Sequence, residues 1–395
     1  MLCLLINSIV LMVFTISCNT KEQNSNHSIE YPINIDINEA LRNKTDLKLS
    51  DFVDSITYLP VESIIGDYVT SLDPNRLKIG NKYILSADYF SKDLLLYDRN
   101  GKFIRKLAQS GQGPGEYTRM EDLAIDEQNE IVYVYSFDNR KVFKYNLDGK
   151  FLGSINLLHP ADKIVVSPNG RLLVHFSNWT GDLQFSCLLL DHNGDTINQM
   201  NNSIFYKSNK RPYLINDGLY YVYNDQIHVK DKCDTLYVIE NDSFIPKYVF
   251  HTGDVLSNNM TQLEFDEKVL FGSVFETDNI LLFDFFLKKK WYTGYYDKKL
   301  AKAFTTKEVL IINDMDDTNR GKYINTNPDT KIYGFTYSDY QFNDIIIIRR
   351  NSAFDMDVLK KRVTESKFVE INTMLDSLLL EDDDPVILSL LHLKK

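Results

Sequence analysis

Short apolar runs separated by polar turns recur along most of the chain. In the clearest copies, two strand-like runs lead to an Asn-Gly or Asp-Gly turn and a third run, with the turn glycines at Gly101, Gly149 and Gly194. Such turns favour a type I′ hairpin, because both of its central residues need a positive φ. Counted from Phe52 to the C-terminus, about six such units fit at the repeat length typical of propeller blades. The pattern predicts an all-β fold, a six-bladed β-propeller.

The two ends of the repeated region predict how the ring closes. An early run at 52–60 and a late run at 385–391 both have strand character, and pairing them within one blade would close the ring. Before the late run, apolar residues recur at helical spacing, which predicts a C-terminal helix over residues 355–380, ahead of the closing strand. The residues that carry this spacing are Phe368, Ile371, Leu375, Leu378 and Leu379.

The N-terminus has the pattern of an export signal. Residues 2–16 are almost wholly apolar, too short a run for a spanning helix but right for a signal-peptide core. Ser17 directly before Cys18 resembles the bacterial lipobox, although Thr15 stands where leucine is usual and no Lys or Arg precedes the apolar run. A plain secretory signal or a membrane anchor is the alternative. We expect a signal peptide over 1–17, a lipidated Cys18 with a polar tether over 18–45, and the propeller over 46–395.

Charge and cysteine content bear on the class of function. A net charge of −11 and a pI near 5.2 argue against nucleic-acid binding, which needs clustered Lys and Arg. The predicted mature chain keeps Cys187 and Cys233, whose spacing fits either a disulfide in an oxidising compartment or two separately packed thiols. No cysteine or histidine pair has the spacing of zinc ligands.

Three glycines fall within five residues in the segment Gly111–Tyr117, which reads Gly-Gln-Gly-Pro-Gly-Glu-Tyr. The segment lacks the Gly-Lys-Ser/Thr ending of a phosphate loop, and Pro114 removes a backbone donor. We therefore expect a rigid connector between two blades. Since such connectors border the central channel of a propeller, the segment also predicts a ligand-contacting rim. The rim candidates are Glu116, Tyr117, Arg119 and, in a separate Asn-Trp-Thr-Gly turn, Trp179.

One acidic stretch has some features of a calcium loop. It offers oxygen ligands at Asp314, Asp316 and Asn319. A calcium loop needs glycine at its sixth position, and Gly321 comes two residues late. An acidic surface loop is the preferred interpretation, with calcium as the alternative and no other cofactor expected. Of the seven scattered histidines, two lie inside strand-like runs and are metal candidates by position only, namely His175 and His228.

Several motifs taken together resemble a known family. They are Asp54–Glu62, Gly101–Ile104, Gly111–Tyr117 and Asp384–Leu388. This combination resembles the six-bladed β-propeller lipoproteins of Bacteroidetes, which are related in fold to NHL-type propellers, over about residues 50–395. The family has Asn at the position of Asp384. The resemblance implies the fold and a place in the cell envelope, but no defined biochemical role.

The sequence therefore predicts an outer-membrane lipoprotein of the cell envelope that works as a binding module. We expect a monomer that touches the membrane through its lipid anchor only. It would bind a glycan, a peptide or an envelope protein across the face that bears the inter-blade loops, without catalysing a reaction. The alternative is a metal-dependent hydrolase or lyase with its site in the central channel, which would need His, Asp or Glu side chains converging there.

Overall fold

The described part of the chain is built almost entirely of β-strands. The computed structural model describes residues 31–62, 64–65, 68–69, 72–88, 90–178, 180–202, 205, 219–230, 234–252, 269–288, 290–307, 311–312, 332–333, 340–343, 345–350 and 386–395. The N-terminal elements are β1 (Ile33–Asp36), α1 (Ile37–Arg42), β2 (Lys44–Thr45), α2 (Leu49–Phe52), β3 (Val53–Val61), β4 (Ile64–Ile65) and β5 (Tyr68–Val69).

Antiparallel four-stranded units follow. Unit 1 is β6 (Leu72–Ile79), β7 (Tyr83–Asp88), β8 (Leu94–Asp98) and β9 (Phe103–Ala108). Unit 2 is β10 (Met120–Asp126), β11 (Ile131–Ser136), β12 (Lys141–Asn146) and β13 (Phe151–Asn156). Unit 3 is β14 (Lys163–Val166), β15 (Leu172–His175), β16 (Phe185–Leu190) and β17 (Thr196–Asn201). Unit 4 is β18 (Leu219–Tyr223), β19 (Gln226–Lys230), β20 (Thr235–Glu240) and β21 (Ser243–His251).

The last two units involve the N-terminal elements. Unit 5 is β22 (Leu270–Glu276), β23 (Ile280–Leu287), β24 (Lys290–Asp297) and β25 (Lys302–Thr306), and a small pair follows, β26 (Ile311–Ile312) with β27 (Ile332–Tyr333). Unit 6 is β28 (Tyr340–Phe342), β29 (Ile345–Arg350), β30 (Val386–Leu393) and the early strand β3. Its β28 also pairs in parallel with β18 at Val222 and Phe342, which joins units 4 and 6 in one nine-stranded sheet. The predicted pairing of the two terminal runs is confirmed, because β3 lies antiparallel to β30 from Val53 to Val61.

The antiparallel order gives each unit two distinct ends. In each unit the turn between the second and third strands lies at the end where the chain passes to the next unit. We call this end the loop end. The other two turns lie at the opposite end, the turn end. At the turn end, the predicted hairpins at Gly101, Gly149 and Gly194 are confirmed. The predicted type I′ geometry is wrong, because in each turn the glycine alone has a positive φ. At the first of these turns Asp98 accepts hydrogen bonds from the amides of Asn100 and Lys102.

Six clusters of buried hydrophobic side chains lie between consecutive units in the described part of the chain. The sixth joins unit 6 back to unit 1, where Leu390 packs in one cluster with Leu77. Each fully buried aliphatic or aromatic side chain contributes roughly 1.5–3 kcal/mol, so these clusters hold the units together. Representative pairs at the other five boundaries are Leu96 and Val134, Tyr135 and Val174, Leu173 and Val229, Tyr248 and Phe283, and Leu282 and Leu391.

The segment before unit 1 is more ordered than the sequence predicts. Residues 33–45 were expected to belong to a polar tether over 18–45, yet β1 adds in parallel to β21 and β2 adds in parallel to β25. Ile35, Ile37 and Ala40 are 0–1% exposed. The boundary expected at residue 46 is therefore too late, because alternating isoleucines bury one face of this segment. Asp36 caps α1 by accepting hydrogen bonds from the amides of Asn38 and Glu39.

Several predictions lie outside the described residues. These are the signal peptide over 1–17, the first part of the tether, and the helix over 355–380. In the part of the chain that the structure describes, no helix combines the length and the apolar content needed to cross a bilayer.

Candidate functional site

The first strands of four consecutive units meet through one polar network. Lys78 on β6 donates a hydrogen bond to the hydroxyl of Tyr220 on β18 (2.7 Å) and lies 3.2 Å from Asp122 Oδ1 on β10. The hydroxyl of Tyr220 lies 3.3 Å from Asp122 Oδ2, which also accepts from the amide of Ile164 on β14 (2.9 Å). We call Lys78, Asp122, Tyr220 and the neighbouring Lys163 the inner network.

The inner network carries more positive than negative charge. Burial alone would raise the pKa of Asp122, but Lys78 and Lys163, with the amides of Ile164 and Leu123, hold that pKa below its usual range. The carboxylate is therefore ionised at neutral pH, with Lys78 at 3.2 Å and Lys163 as a second nearby positive charge. A divalent cation would be repelled here, since metal sites need a surplus of carboxylate, imidazole or thiolate ligands.

Two small hollows border the inner network in the described part of the chain. A cavity beside Lys78, Leu123 and Val165 has about 20 Å³, which is room for about one water molecule. A second hollow, next to Lys163, His175 and Tyr220, has no room for one. Among the described residues no group of three or more His, Cys, Asp or Glu side chains could hold a metal ion.

A single carboxylate organises the segment Gly111–Tyr117. Glu116 Oε2 accepts from the amide of Gly113 (2.8 Å) and Glu116 Oε1 from the side chain of Gln109 (2.7 Å). The amide of Gly113, then Gln109, lowers the pKa of the Glu116 carboxyl. The segment joins β9 to β10, so the predicted connector is confirmed. A backbone donor that a phosphate would use is already bonded to the protein's own carboxylate.

The three rim candidates near this segment differ in exposure. Tyr117 is 0% exposed, packs edge-on to Phe143 and donates to the carbonyl of Lys92 (2.6 Å). The prediction that Tyr117 contacts a ligand is therefore wrong, because its ring fills the core between units 1 and 2. Glu116 is half-buried and held within the segment, whereas Arg119 is exposed, and their contact with a ligand stays a prediction.

Exposed apolar side chains lie at the loop end of units 1 to 3. Phe90, in the turn between β7 and β8, is 79% exposed, and Leu158, in the connection from β13 to β14, is 86% exposed. Between them the guanidinium of Arg119 lies over the ring of Phe137, 4.6 Å from its centre. Arg119 also pairs with Glu121 at 3.3 Å. Large exposed apolar groups beside an aromatic-stacked arginine are typical of contact surfaces.

Hydrogen bonds connect these loops into one continuous surface. The Tyr117 hydroxyl reaches the carbonyl of Lys92 beside Phe90, and the amide of Phe137 donates to the carbonyl of Arg119 (3.0 Å). The amide of Leu157 donates to the carbonyl of Arg140 (2.8 Å). We call this surface the loop-end band; its members are Phe90, Lys92, Arg119, Phe137, Arg140 and Leu158.

Other predicted site residues lie outside the described part of the chain. They are Cys18, Trp179, Asp314, Asp316 and Asn319. Cys233 is also outside it, while Cys187 is buried on β16. Lipidation, the fourth rim position, the calcium alternative and the pairing of the two cysteines therefore stay predictions.

A buried ionic cluster between units 4 and 5 was missed by the sequence reasoning. Glu276, at the end of β22, accepts from Tyr248 and Lys298 through Oε1 (both 2.7 Å) and from Tyr221 and Lys247 through Oε2 (2.8 and 3.0 Å). Burial would raise the pKa of Glu276, but Lys247 and Lys298 outweigh it and lower that pKa to about 2. The groups come from three different strands and a turn, so no local spacing signals them.

The two histidines named as metal candidates are both buried. His228 stacks on Tyr221 (3° between rings), its Nε2 lies 2.9 Å from Lys247 Nζ, and burial followed by Lys247 lowers its pKa to about 3. It is therefore a neutral acceptor within the Glu276 cluster. His175 is buried with its Nδ1 3.6 Å from Asp162 Oδ2, and the hydroxyl of Ser177 donates a hydrogen bond to that carboxylate.

Comparison with known proteins identifies the family. The chain belongs to DUF4934, a domain of unknown function, whose model matches residues 32–388. No curated protein matches the chain.

Solved structures provide likenesses at low identity. A protein of Bacteroides fragilis described as exported is 18% identical, with 92% of this chain and 100% of that chain covered and a TM-score of 0.63. A member of the DUF4221 family from Bacteroides vulgatus is 9% identical, with 87% and 98% covered and a TM-score of 0.45. BamB from Moraxella catarrhalis is 14% identical, with 63% and 67% covered and a TM-score of 0.42. At 18% identity the first likeness supports a similar fold and nothing further. Nothing is inferred from the other two, whose TM-scores are below 0.5. The fold is β-rich and propeller-like; membership of the propeller lipoproteins stays a prediction.

Proposed function

We propose that this chain is an exported, lipid-anchored six-bladed β-propeller that binds a partner non-catalytically through its loop-end band. The six clusters between consecutive units, the last returning to unit 1, support a closed ring of six blades. The apolar run ending at Cys18 and the likeness to an exported Bacteroides protein support a location in the cell envelope.

One observation carries the functional part of the proposal. The two hollows described beside the inner network have room for about one water molecule, while the loop-end band exposes Phe90, Leu158 and the Arg119–Phe137 stack. Ligands bind where apolar surface and fixed polar groups are both accessible. The band meets that condition and the inner network does not.

The composition of the band favours a polypeptide ligand over a glycan. Phe90 and Leu158 offer apolar contact, and Arg119 and Arg140 offer guanidinium groups that pair with carboxylates. We propose a peptide or envelope protein segment with apolar and acidic side chains. Among the described residues no feature favours the hydrolase or lyase alternative, since the inner network places two lysines near one carboxylate.

Two experiments test this proposal. The chain expressed from residue 19 should bind members of a peptide library saturably and should give weaker signals on a glycan array. Absence of saturable binding to either class, or a stoichiometric tightly held metal by mass spectrometry, would overturn it. For the ring, deleting residues 386–395 removes β30 and should lower the melting temperature sharply, whereas an unchanged melting temperature would contradict closure.

A further inference from the structure

The outer edges of the units are covered unequally. Units 4 and 5 each carry a fifth strand from the N-terminal segment, β1 beside β21 and β2 beside β25. Units 1, 2 and 3 end at β9, β13 and β17, and in the described part of the chain each of these strands pairs on one side only. An edge strand with one side unpaired presents a row of backbone donors and acceptors that another chain can use.

Unit 6 also ends in a strand that pairs on one side only in the described part of the chain, β3, which contains Asp54 and Pro60. The edges of units 1, 2 and 3 share a bulge at the same position. In each, the residue three places after the turn glycine is skipped in the pairing register with the neighbouring strand. These bulge residues are Ile104, Leu152 and Ile197, which are 38%, 46% and 37% exposed. Bulges re-aim side chains, and here all three present an aliphatic group to solvent.

The three edges differ in charge. The bulge of β9 is followed by Arg105 and Lys106, both exposed, and basic side chains on an edge oppose the addition of a further strand. β17 is uncharged, but the side chain of Asn198 is already bonded to the carbonyl of Asp242 in unit 4. β13 has no charged residue and exposes both Phe151 (40%) and Leu152.

Gly153 makes the edge of β13 especially open. Its φ is +133°, and beyond its two chain neighbours no residue has an atom within 4 Å of the place that a Cβ would take. Glycine within a strand often marks a point where another backbone approaches closely. The edge of β13 therefore combines exposed apolar side chains, no repelling charge and free space above the backbone.

We propose that the outer edge of β13 is a strand-addition site for an extended segment of a partner protein with aliphatic residues at alternate positions. The protein's own β1 has the sequence pattern that such a segment would need. In β1, Ile33 and Ile35 alternate with Asn34 and Asp36, and the strand pairs in parallel with β21 while Ile35 becomes 1% exposed. Backbone bonds supply affinity in this mode, and alternate side chains supply specificity. The site is separate from the loop-end band.

A peptide with the sequence of residues 32–46 is the probe, because this segment covers an outer edge in the protein. It is added to the full chain, and hydrogen exchange is measured by mass spectrometry. We expect the peptide to slow hydrogen exchange in β13. A peptide with proline in place of the residue that corresponds to Asn34 should not slow it, because proline cannot complete the backbone ladder. Leu152→Lys combined with Ser154→Lys should weaken binding about tenfold or more through lost contact and edge charge. Ile104→Lys, on the already charged β9, is the matched control and should leave binding unchanged.

The remaining outcomes each overturn the proposal. Absence of protection in β13 would do so, as would protection confined to β21, which would mean exchange with the protein's own β1. If the full chain dimerises and Leu152→Lys with Ser154→Lys abolishes the dimer, the edge binds a second copy of the chain. Protection at the loop-end band with none in β13 would leave the proposed function standing and remove the strand-addition site. Both substituted side chains are exposed, so an unchanged melting temperature verifies that the variant is folded.

Discussion

Glu116 Oε2 lies 2.0 Å from the point that a Cβ on Gly111 would occupy, so the carboxylate takes the place that a side chain there would need. The same oxygen accepts the hydrogen bond from Gly113. The glycines and the glutamate of the Gly-Gln-Gly-Pro-Gly-Glu-Tyr segment thus depend on one another. Its tyrosine is an anchor in the core between units 1 and 2, and the segment as a whole is a connector.

Gly111→Ala should lower stability by displacing the Glu116 carboxylate from Gly113 and Gln109. Since the clash is with a side chain, removing that side chain should relieve it. In a Glu116→Ala background, Gly111→Ala should therefore cost far less than it does alone, a coupling that chemical unfolding of the two single variants and the double variant measures. Additive costs would contradict the proposed dependence. Gly149→Ala is the control, because its Cβ would meet the backbone carbonyl of Leu107 at 2.7 Å in any background.

Glu276→Gln should destabilise the protein strongly. The substitution keeps the shape but leaves Lys247 and Lys298 near a neutral amide, and removing one partner of a buried ion pair costs about 3–5 kcal/mol. Urea unfolding at pH 7 measures the change. A matched exposed pair is Arg105 with Asp148 at 2.9 Å, where Asp148→Asn should cost at most about 1 kcal/mol. Equal effects of the two substitutions would show that the Glu276 cluster does not hold units 4 and 5 together.

His228 should make the protein sensitive to mild acid. Burial, then Lys247, depresses its folded pKa to about 3 from 6.5. Below pH 6.5 the unfolded chain therefore binds a proton that the folded chain does not, so stability falls as pH decreases from 6.5 toward 3. The loss between pH 7 and pH 5 should be about 2 kcal/mol. His228→Phe keeps a ring against Tyr221 and should lose less stability over that interval, as thermal unfolding at several pH values can measure. An identical slope in both proteins would rule this out.

Asp284 should have the opposite pH dependence. Burial raises its pKa to about 6 from 3.8, despite hydrogen bonds from Thr293 and Ser273. The folded chain keeps this proton longer than the unfolded chain, so the contribution is full below pH 3.8 and is lost as pH rises through 6. The residue as a whole is half-buried, so Asp284→Asn should stabilise the protein by only about 1–2 kcal/mol at pH 7.5. At pH 4 the gain should vanish, and a gain of the same size at both pH values would contradict the assignment.

The repeat was readable from the sequence because its signals are local. Gly101, Gly149 and Gly194 each lie three residues after an Asx residue whose side chain accepts a backbone hydrogen bond within the turn, and apolar runs on both sides mark the strands. The turn type was not readable, because Asn-Gly and Asp-Gly fit both a type I′ turn and a turn with glycine alone at positive φ. The folded part of residues 33–45 was missed because its few isoleucines lie within an Asn-rich stretch.

The polar clusters were not predictable from spacing. Lys78 and Tyr220 are 142 residues apart, and Tyr221 and Glu276 are 55 apart. These contacts exist only once the units have packed against one another. Tyr117 shows the converse error: a tyrosine in a glycine-rich loop suggested an exposed ring, whereas the tight turn around Glu116 directs it into the core.

Binding by variants of the loop-end band tests the central claim most directly. Peptides selected by the chain expressed from residue 19 would be titrated against that protein and two variants. Phe90→Ser with Leu158→Ser removes the two exposed apolar groups of the band, and Leu300→Ser removes one that is 63% exposed at the turn end of unit 5. We predict that the double variant loses affinity at least about tenfold, since a few residues carry most of the binding energy of a contact, while Leu300→Ser binds as the parent does. Equal affinity in all three proteins, or loss in Leu300→Ser alone, would contradict the account.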